Sequence, residues 1–480
     1  MDFEGKWSRG VVPVIMLALV LSACVVKPPD SRMGEAGMSA PGAWTATKQA
    51  KAGVDTNWVA RFGDRGLVRM VDEALAANPD LRASAERVNR AAALAKASGA
   101  AARPQAGVGL LGSRQEQKYI GLPIGGGTGP LSSIYSSYGS SLNVSWEPDL
   151  WGKVRAGERA ALADLEAQGW AYRGARASLG AEVARAWLAL AEANEQVALA
   201  NRVIKVRSDT VETISDRFAR ALAGEGGTAA ELRLAQADRA TAEATLAQRE
   251  GERDSAIRRL EVLLGRYPSG QLTGSAKLPS VPKRPPAGLP SELLLRRPDI
   301  LAAERQFAAS GQRVKEARLA FYPSFSLTGS LGTVTNQLKS VLDSDFGVWS
   351  IVGQLSQPIL AGGTLKSQLE ARRAEDREAV ANLQGVVLKG FGEVETALAA
   401  DAYLAAQEKA TATAVARAVE ASEAAVEDYA GGTGDVLTML AAQSRAVLLS
   451  SQQLSLRRLR LENRVNLHLA LGGDYKPSSK

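Results

Sequence analysis

Over most of the chain the apolar positions recur at helical spacing, but at four places the period drops to two. The clearest change follows Pro298-Asp299, a pair suited to a first helical turn, where a missing N–H is tolerated and a negative charge is favoured. A helix-compatible run continues to Pro323, which breaks it. Phe325, Leu327, Gly329 and Leu331 then alternate with Ser324, Ser326, Thr328 and Ser330, giving a strand with one apolar and one polar face. The same order occurs earlier: Asn78-Pro79-Asp80 opens a helix, Pro104 ends it, and QAGVGLLGS follows. Pro79 and Pro298 are 219 residues apart, as are Pro104 and Pro323, so the chain reads as a tandem repeat.

Each copy supplies a second alternating stretch. Tyr138, Leu142, Val144 and Trp146 oppose Gly139, Ser141, Asn143, Ser145 and Glu147; Trp349, Ile351, Gly353 and Leu355 oppose Ser350, Val352, Gln354 and Ser356. Both end at a proline, Pro148 in EPDLWGK and Pro358 in QPILAGGTLK. The reading is two hairpins, over about 104–148 and 323–358, hence four strands per chain. The glycine-rich stretch 121–133 lacks the Gly-Lys-Ser/Thr ending of a phosphate loop and is read as a plain connection.

Long helices follow each hairpin. From 152 to about 223 there is no proline, and Val183, Leu190, Val197, Ile204, Val211 and Phe218 recur every seven residues, as in a coiled coil. Some seventy residues of helix would measure about 105 Å. A glycine cluster at 224–227 turns the chain into a helix reaching 264, and a Pro/Gly-rich linker fills 266–290. The second copy has a helix over 365–429, a turn at 431–434 and a last helix to 471. Leu440, Val447, Leu454, Leu461 and His468 share one stripe of that last helix. Residues 58–76 read as one amphipathic helix with Trp58, Phe62, Leu67, Val71 and Leu75 on its apolar side. The expected organisation is therefore a first repeat at 58–265, a linker, a second repeat at 291–472 and a tail at 473–480.

Charge changes the picture little. The net charge is +7, but basic residues face acidic ones along the helices and aromatics make up 5%, so no nucleic-acid partner is expected. The N-terminus changes it more. Residues 11–23 form a 13-residue apolar core, too short to span a bilayer and suited to a signal peptide over 1–23. Leu21-Ser22-Ala23-Cys24 resembles a bacterial lipobox, which implies that Cys24 is lipidated and starts the mature chain. Val25 after it, by the same resemblance, favours the outer membrane. Residues 24–57, rich in Pro, Gly, Ser, Lys and Ala, read as a lipid-anchored tether. Cys24 is the only cysteine, so no internal disulfide can form, and His468 is the only histidine. Without a nucleophile motif, a metal-ligand cluster or a dinucleotide fingerprint, no enzyme, cofactor or metal is expected.

Four amphipathic strands cannot close a barrel, and an open edge cannot lie in lipid, where every backbone group needs a partner. Membrane barrels need about eight strands or more, so several copies must share one; three would give twelve strands. The helices would continue as a long cylinder with the glycine turns at its tip.

At this point the chain resembles the TolC-like outer membrane efflux factors, most closely their NodT-type lipoprotein branch. The resemblance rests on LLLRRPDILAAE, ARLAFYPSFSLTGSLG, QPILAGG, YAGGTGDVLTMLAAQSR and LHLALGG. It implies a mainly α fold with a membrane β-barrel: a homotrimer whose twelve-stranded barrel sits in outer membrane lipid and continues as an α-helical periplasmic tunnel. It further implies passive export in partnership with a periplasmic adaptor (membrane fusion protein) and an inner-membrane RND-type pump. A type I exit duct for proteins and a non-conducting envelope scaffold are the alternatives. In the family the tip acts as an iris-like gate. Tyr429, Gly432 and Thr433 match that motif, and Gly227 is the corresponding glycine of the first turn. Thr438 and Ala441 stand where some relatives carry ring aspartates, which leaves Asp435 as the nearest carboxylate, either a gate residue or a helix-terminal one.

Overall fold

The computed structural model describes residues 26–46, 57–119, 131–221 and 228–473. Cys24, Gly227 and most of the 121–133 loop fall outside them. Seven helices longer than one turn are described: α1 (Arg65–Ala77), α2 (Pro79–Ala100), α3 (Lys153–Ala221), α4 (Ala229–Leu263), α5 (Pro298–Leu319), α6 (Thr364–Ala430) and α7 (Val436–Ala470). The strands are β1 (Gln105–Tyr119), β2 (Leu131–Trp146), β3 (Ser324–Thr335) and β4 (Gly347–Ser356). None of the described helices is long and apolar enough to cross a membrane.

The chain divides into two compact units, one from described residues of 1–35, 89–167 and 304–381, the other from 36–88, 168–303 and 382–473. The first contains a four-stranded antiparallel sheet in the order β1-β2-β3-β4. Its register decides its chemistry. Val108 pairs with Leu142, Leu142 with Leu331 and Leu331 with Trp349; Trp146 pairs with Leu327, and Phe325 with Leu355. Because directly paired residues point to the same side, one apolar row, Val108–Leu142–Leu331–Trp349, crosses all four strands, flanked by Ala106, Val144, Gly329 and Ile351. The opposite face is mixed, with Ser141, Asn143, Ser330 and Gln354 beside Leu111, Val334 and Val352. A one-residue slip would exchange the two faces. At the seam between the hairpins, a Cβ on Gly332 would collide with the Ser140 carbonyl oxygen, so glycine alone fits there. The strands start earlier than the glycine-rich reading allowed: Leu131, Ser132 and Ser133 already pair with Tyr119, Lys118 and Gln117.

In the same unit the N-terminal segment is held by Arg32. Its guanidinium donates to Asp376 Oδ1 at 2.7 Å and to the Phe307 carbonyl at 3.0 Å, and lies 3.8 Å from the centre of the Phe307 ring.

The second unit holds the main hydrophobic core, in which Trp58, Phe62, Leu67 and Val71 meet Val183, Trp187 and Leu190 of α3, Leu260 of α4 and Leu461 of α7. The amphipathic helix read at 58–76 is in fact two pieces. A 3-10 turn, Trp58–Phe62, ends at Gly63 with φ 67°, and α1 starts anew because Asp64 caps it, accepting from Gly66 N at 2.7 Å and Leu67 N at 3.1 Å. Trp187 Nε1 donates to the same carboxylate at 2.7 Å. Of the apolar stripe on α3, Val183, Leu190 and Val197 are buried; farther along the buried positions become Arg207, Thr210 and Ile214. His468 is fully buried and stacks on Trp58, with ring centres 5.6 Å apart. The Pro/Gly linker has no strand and only a single helical turn, Pro290–Leu293, yet it is tied down. The Glu261 carboxylate accepts from Gly270 N at 2.8 Å and Ser269 Oγ at 3.0 Å, and Asn194 Nδ2 donates to the Ser275 carbonyl at 2.9 Å.

Candidate functional site

Two places combine residues singled out in the sequence: the junctions where helices become strands, and the turn between α6 and α7. At the junctions, Pro104 and Pro323 stand one residue before β1 and β3, while Pro148 and Pro358 follow β2 and β4. Proline suits these points because it cannot continue either ladder. Side chains then bind the freed carbonyls of the helix ends. Trp146 Nε1 donates to the Ala102 carbonyl at 3.0 Å in the first copy, and Gln357 Nε2 to the Phe321 carbonyl at 3.1 Å in the second. Trp151 Nε1 donates to the Pro323 carbonyl at 2.7 Å and so ties one junction to the other. Pro148, Pro323 and Pro358 line one cleft of about 130 Å³ with Trp151, Tyr322 and Phe325, and Pro104 is not part of it.

At the turn, Gly432 has φ 83°, a left-handed conformation that glycine adopts without strain. Thr433 N and Gly434 N both donate to the Asp428 carbonyl at 3.0 Å, closing the end of α6. Tyr429 is 3% exposed, packed among Ile214 of α3, Ala235 of α4, and Val436, Met439 and Leu440 of α7. Its partner is Arg217, whose Nη1 donates to the Tyr429 carbonyl at 2.6 Å while the guanidinium lies 4.5 Å from the ring centre. Burial, and then the charge of Glu231, push the Tyr429 phenol above its ordinary range against the opposing pull of Arg217.

Asp435 is the N-cap of α7. Its carboxylate accepts from Thr438 Oγ1 at 2.6 Å and Thr438 N at 2.9 Å, and these bonds hold it below the usual carboxylate range. Thr438, at one of the positions where relatives can carry aspartate, here serves that cap; Ala441 is exposed. Deeper along the same helices Arg207 donates to Gln443 Oε1 at 2.6 Å and Ser444 Oγ at 2.7 Å. Sequence reading missed both arginines. The available signal was a long cation beside the apolar stripe: Arg217 directly precedes Phe218, and Arg207 lies three residues beyond Ile204. Among the described residues no group of three His, Cys, Asp or Glu side chains could hold a metal ion.

Strands with an exposed apolar row across the sheet, joined by proline corners to helices of coiled-coil spacing, define the class as an outer membrane channel subunit. The chain belongs to the outer membrane efflux protein family, whose profile matches residues 70–266 and 289–473. It is 32% identical to outer membrane protein OprJ of Pseudomonas aeruginosa, over 97% of this chain and 96% of that one. It is 30% identical to the toluene efflux pump outer membrane protein TtgF of Pseudomonas putida, over 96% of each. The solved outer-membrane channel OprN superposes with a TM-score of 0.82 at 25% identity, over 94% of this chain and 99% of that one. The protein is thus an outer membrane component of an efflux system, its exit duct.

Proposed function

We propose that three copies of this chain join edge to edge, β4 of one beside β1 of the next, closing a twelve-stranded barrel through the outer membrane. The observation that carries this reading is the apolar row Val108–Leu142–Leu331–Trp349 crossing all four strands while β1 and β4 remain the free edges of the sheet. Lipid demands a partner for each backbone group on those edges, and bacterial barrels have about eight strands or more. The helices then run into the periplasm as a tunnel, and a lipid on Cys24 adds a second hold on the outer membrane.

Solutes pass through without an energy-consuming step in this chain. A periplasmic adaptor and an inner-membrane RND-type pump deliver them. Small molecules are the class favoured, since a relative is named for toluene efflux. The turn at Gly431–Gly434 is the tip, and the Arg217–Tyr429 contact holds α3 against the end of α6 in its resting arrangement.

Purified protein in detergent is expected to run as a trimer and to form channels in planar bilayers. A stable monomer with complete β-sheet signal and no conductance would overturn the proposal. In the intact trimer, Arg217→Ala removes the bond to Tyr429 and should raise single-channel conductance, because weakening one state of a two-state gate favours the other. Conductance equal to wild type would place the gate elsewhere.

A further inference from the structure

The cleft at the helix–strand junctions combines charges and aromatic rings in a way that transport does not require. Its polar wall holds Glu147 and Lys153, whose Oε1 and Nζ are 3.0 Å apart and whose side chains are both partly exposed. The other carboxylate, Asp149, is already engaged in capping α3, accepting from Val154 N at 3.1 Å and Arg155 N at 2.9 Å. The charges open to a ligand are therefore one ammonium and one carboxylate. The apolar wall is Leu150, Trp151, Tyr322 and Phe325. Trp151 and Tyr322 stack with ring centres 5.6 Å apart, yet each is half exposed, and Leu150 is more exposed still.

The strands place this cleft relative to lipid. Phe325 lies on the same side of β3 as Leu331, so the cleft adjoins the face that bears the apolar row. It sits at the foot of β2 and β3, the inner strands, whereas protomers would join at β1 and β4. Tryptophan and tyrosine rings half out of the protein at the end of a lipid-facing strand suit a membrane–water boundary, where an apolar body and a polar tip are both satisfied. At about 130 Å³ the cleft is well below the roughly 300–1,000 Å³ of a pocket for a drug-sized solute. Its size excludes a cargo site and admits a headgroup whose chains lie outside it.

We propose that this cleft binds the headgroup of a bilayer phospholipid that carries a primary ammonium, the phosphatidylethanolamine class. Lys153 meets the phosphate and Glu147 accepts from the ammonium, so the bond between the two side chains is exchanged for two matched pairs and no charge is left over. The acyl chains lie against Leu150 and Phe325 and continue along the apolar row. A choline headgroup has the same charges but no N–H to donate. A glycerol headgroup brings a phosphate that Glu147 repels and no cation for Glu147 to hold. The site presupposes the membrane barrel proposed above.

Native mass spectrometry of the full-length protein tests this, with detergent micelles doped with phosphatidylethanolamine, phosphatidylcholine or phosphatidylglycerol of identical chains. One phosphatidylethanolamine per protomer should be retained, and the other two lipids about fivefold less, as expected for a charged hydrogen bond at a partly exposed site. Glu147→Gln and Lys153→Ala should each lower phosphatidylethanolamine retention by about the same factor, and Lys153→Arg should keep it. The amount of trimer, measured in the same spectra, reports folding separately. Equal retention of the three lipids overturns the proposal, as does unaltered retention by Glu147→Gln. A cleft occupied by a neighbouring protomer would instead show as lost trimer in Lys153→Ala with no change in bound lipid, which also overturns it. A non-conducting monomer would defeat the barrel itself, whereas a conducting trimer without lipid preference would defeat this site alone.

Discussion

At the scale of single residues the most informative contact is the one made by Arg32. Burial alone would raise the Asp376 carboxyl, but hydrogen bonds from Arg32 and Ser310, together with the Arg32 charge, outweigh burial and hold it below the ordinary range. Glu304 behaves alike: Arg305 and the Arg32 backbone N–H outweigh its burial. A carboxyl with a depressed folded value stabilises fully above its unfolded value, about 3.9 for Asp and 4.3 for Glu. That contribution disappears as pH falls through the folded value. The N-terminal segment should therefore be protected from limited proteolysis at pH 7 and become progressively cleavable as pH falls below the ordinary carboxylate range and through the depressed folded values, where these carboxyls gain protons. Asp376→Asn should expose the segment already at neutral pH, at a cost of about 1–2 kcal/mol for a partly exposed charged hydrogen bond. Equal protection of variant and wild type would show that the contacts to Phe307 and Glu304 hold Arg32 without Asp376.

At the scale of elements the strands were the most legible part and the caps the least. Period-two alternation needs only the local order of residues, so the face carrying Leu142, Val144 and Trp146 could be read directly. The pairing of Leu142 with Leu331 could not, because register arises between strands; it follows once the apolar rows must meet. Helix starts were misjudged where a cap lay outside the apolar pattern. Asn78, named in the sequence only as the first residue of the Asn78-Pro79-Asp80 opening, accepts from Asp80 N at 2.9 Å and Leu81 N at 3.1 Å, and its amide donates to the Leu263 carbonyl at 2.9 Å. Asp435 was open to two readings, since an N-cap and a gate carboxylate have the same sequence signature; Thr438 shows the capping role. Arg217 was invisible because its partners, the carbonyl and ring of Tyr429, are 212 residues away. The sheet also carries a test of its own polarity. Leu142→Arg, on the apolar face, should impair membrane insertion by about 2–4 kcal/mol near the bilayer midplane. Ser141→Arg, on the opposite face, should insert nearly as well as wild type. Heat-modifiability of the barrel on gels would report both, and equal loss would mean that the assignment of the two faces is wrong.

At the scale of the whole molecule, membrane attachment in the proposed assembly has two sources, the barrel and the lipid on Cys24. Cys24→Ser should abolish the diacyl modification seen by mass spectrometry and reduce the amount reaching the outer membrane. A trimer already formed should stay inserted, because its strands have membrane affinity of their own. An intact first residue in the mature wild-type protein would exclude the anchor. The unpaired edges of β1 and β4 have a different consequence, genetic rather than structural. A ring built from three identical subunits is only as good as its worst member. Cells making equal amounts of normal and edge-defective subunits would hold about one wholly normal ring in eight, if mixing is random. Defects confined to β1 or β4 should therefore be dominant, whereas loss of the gene should be recessive.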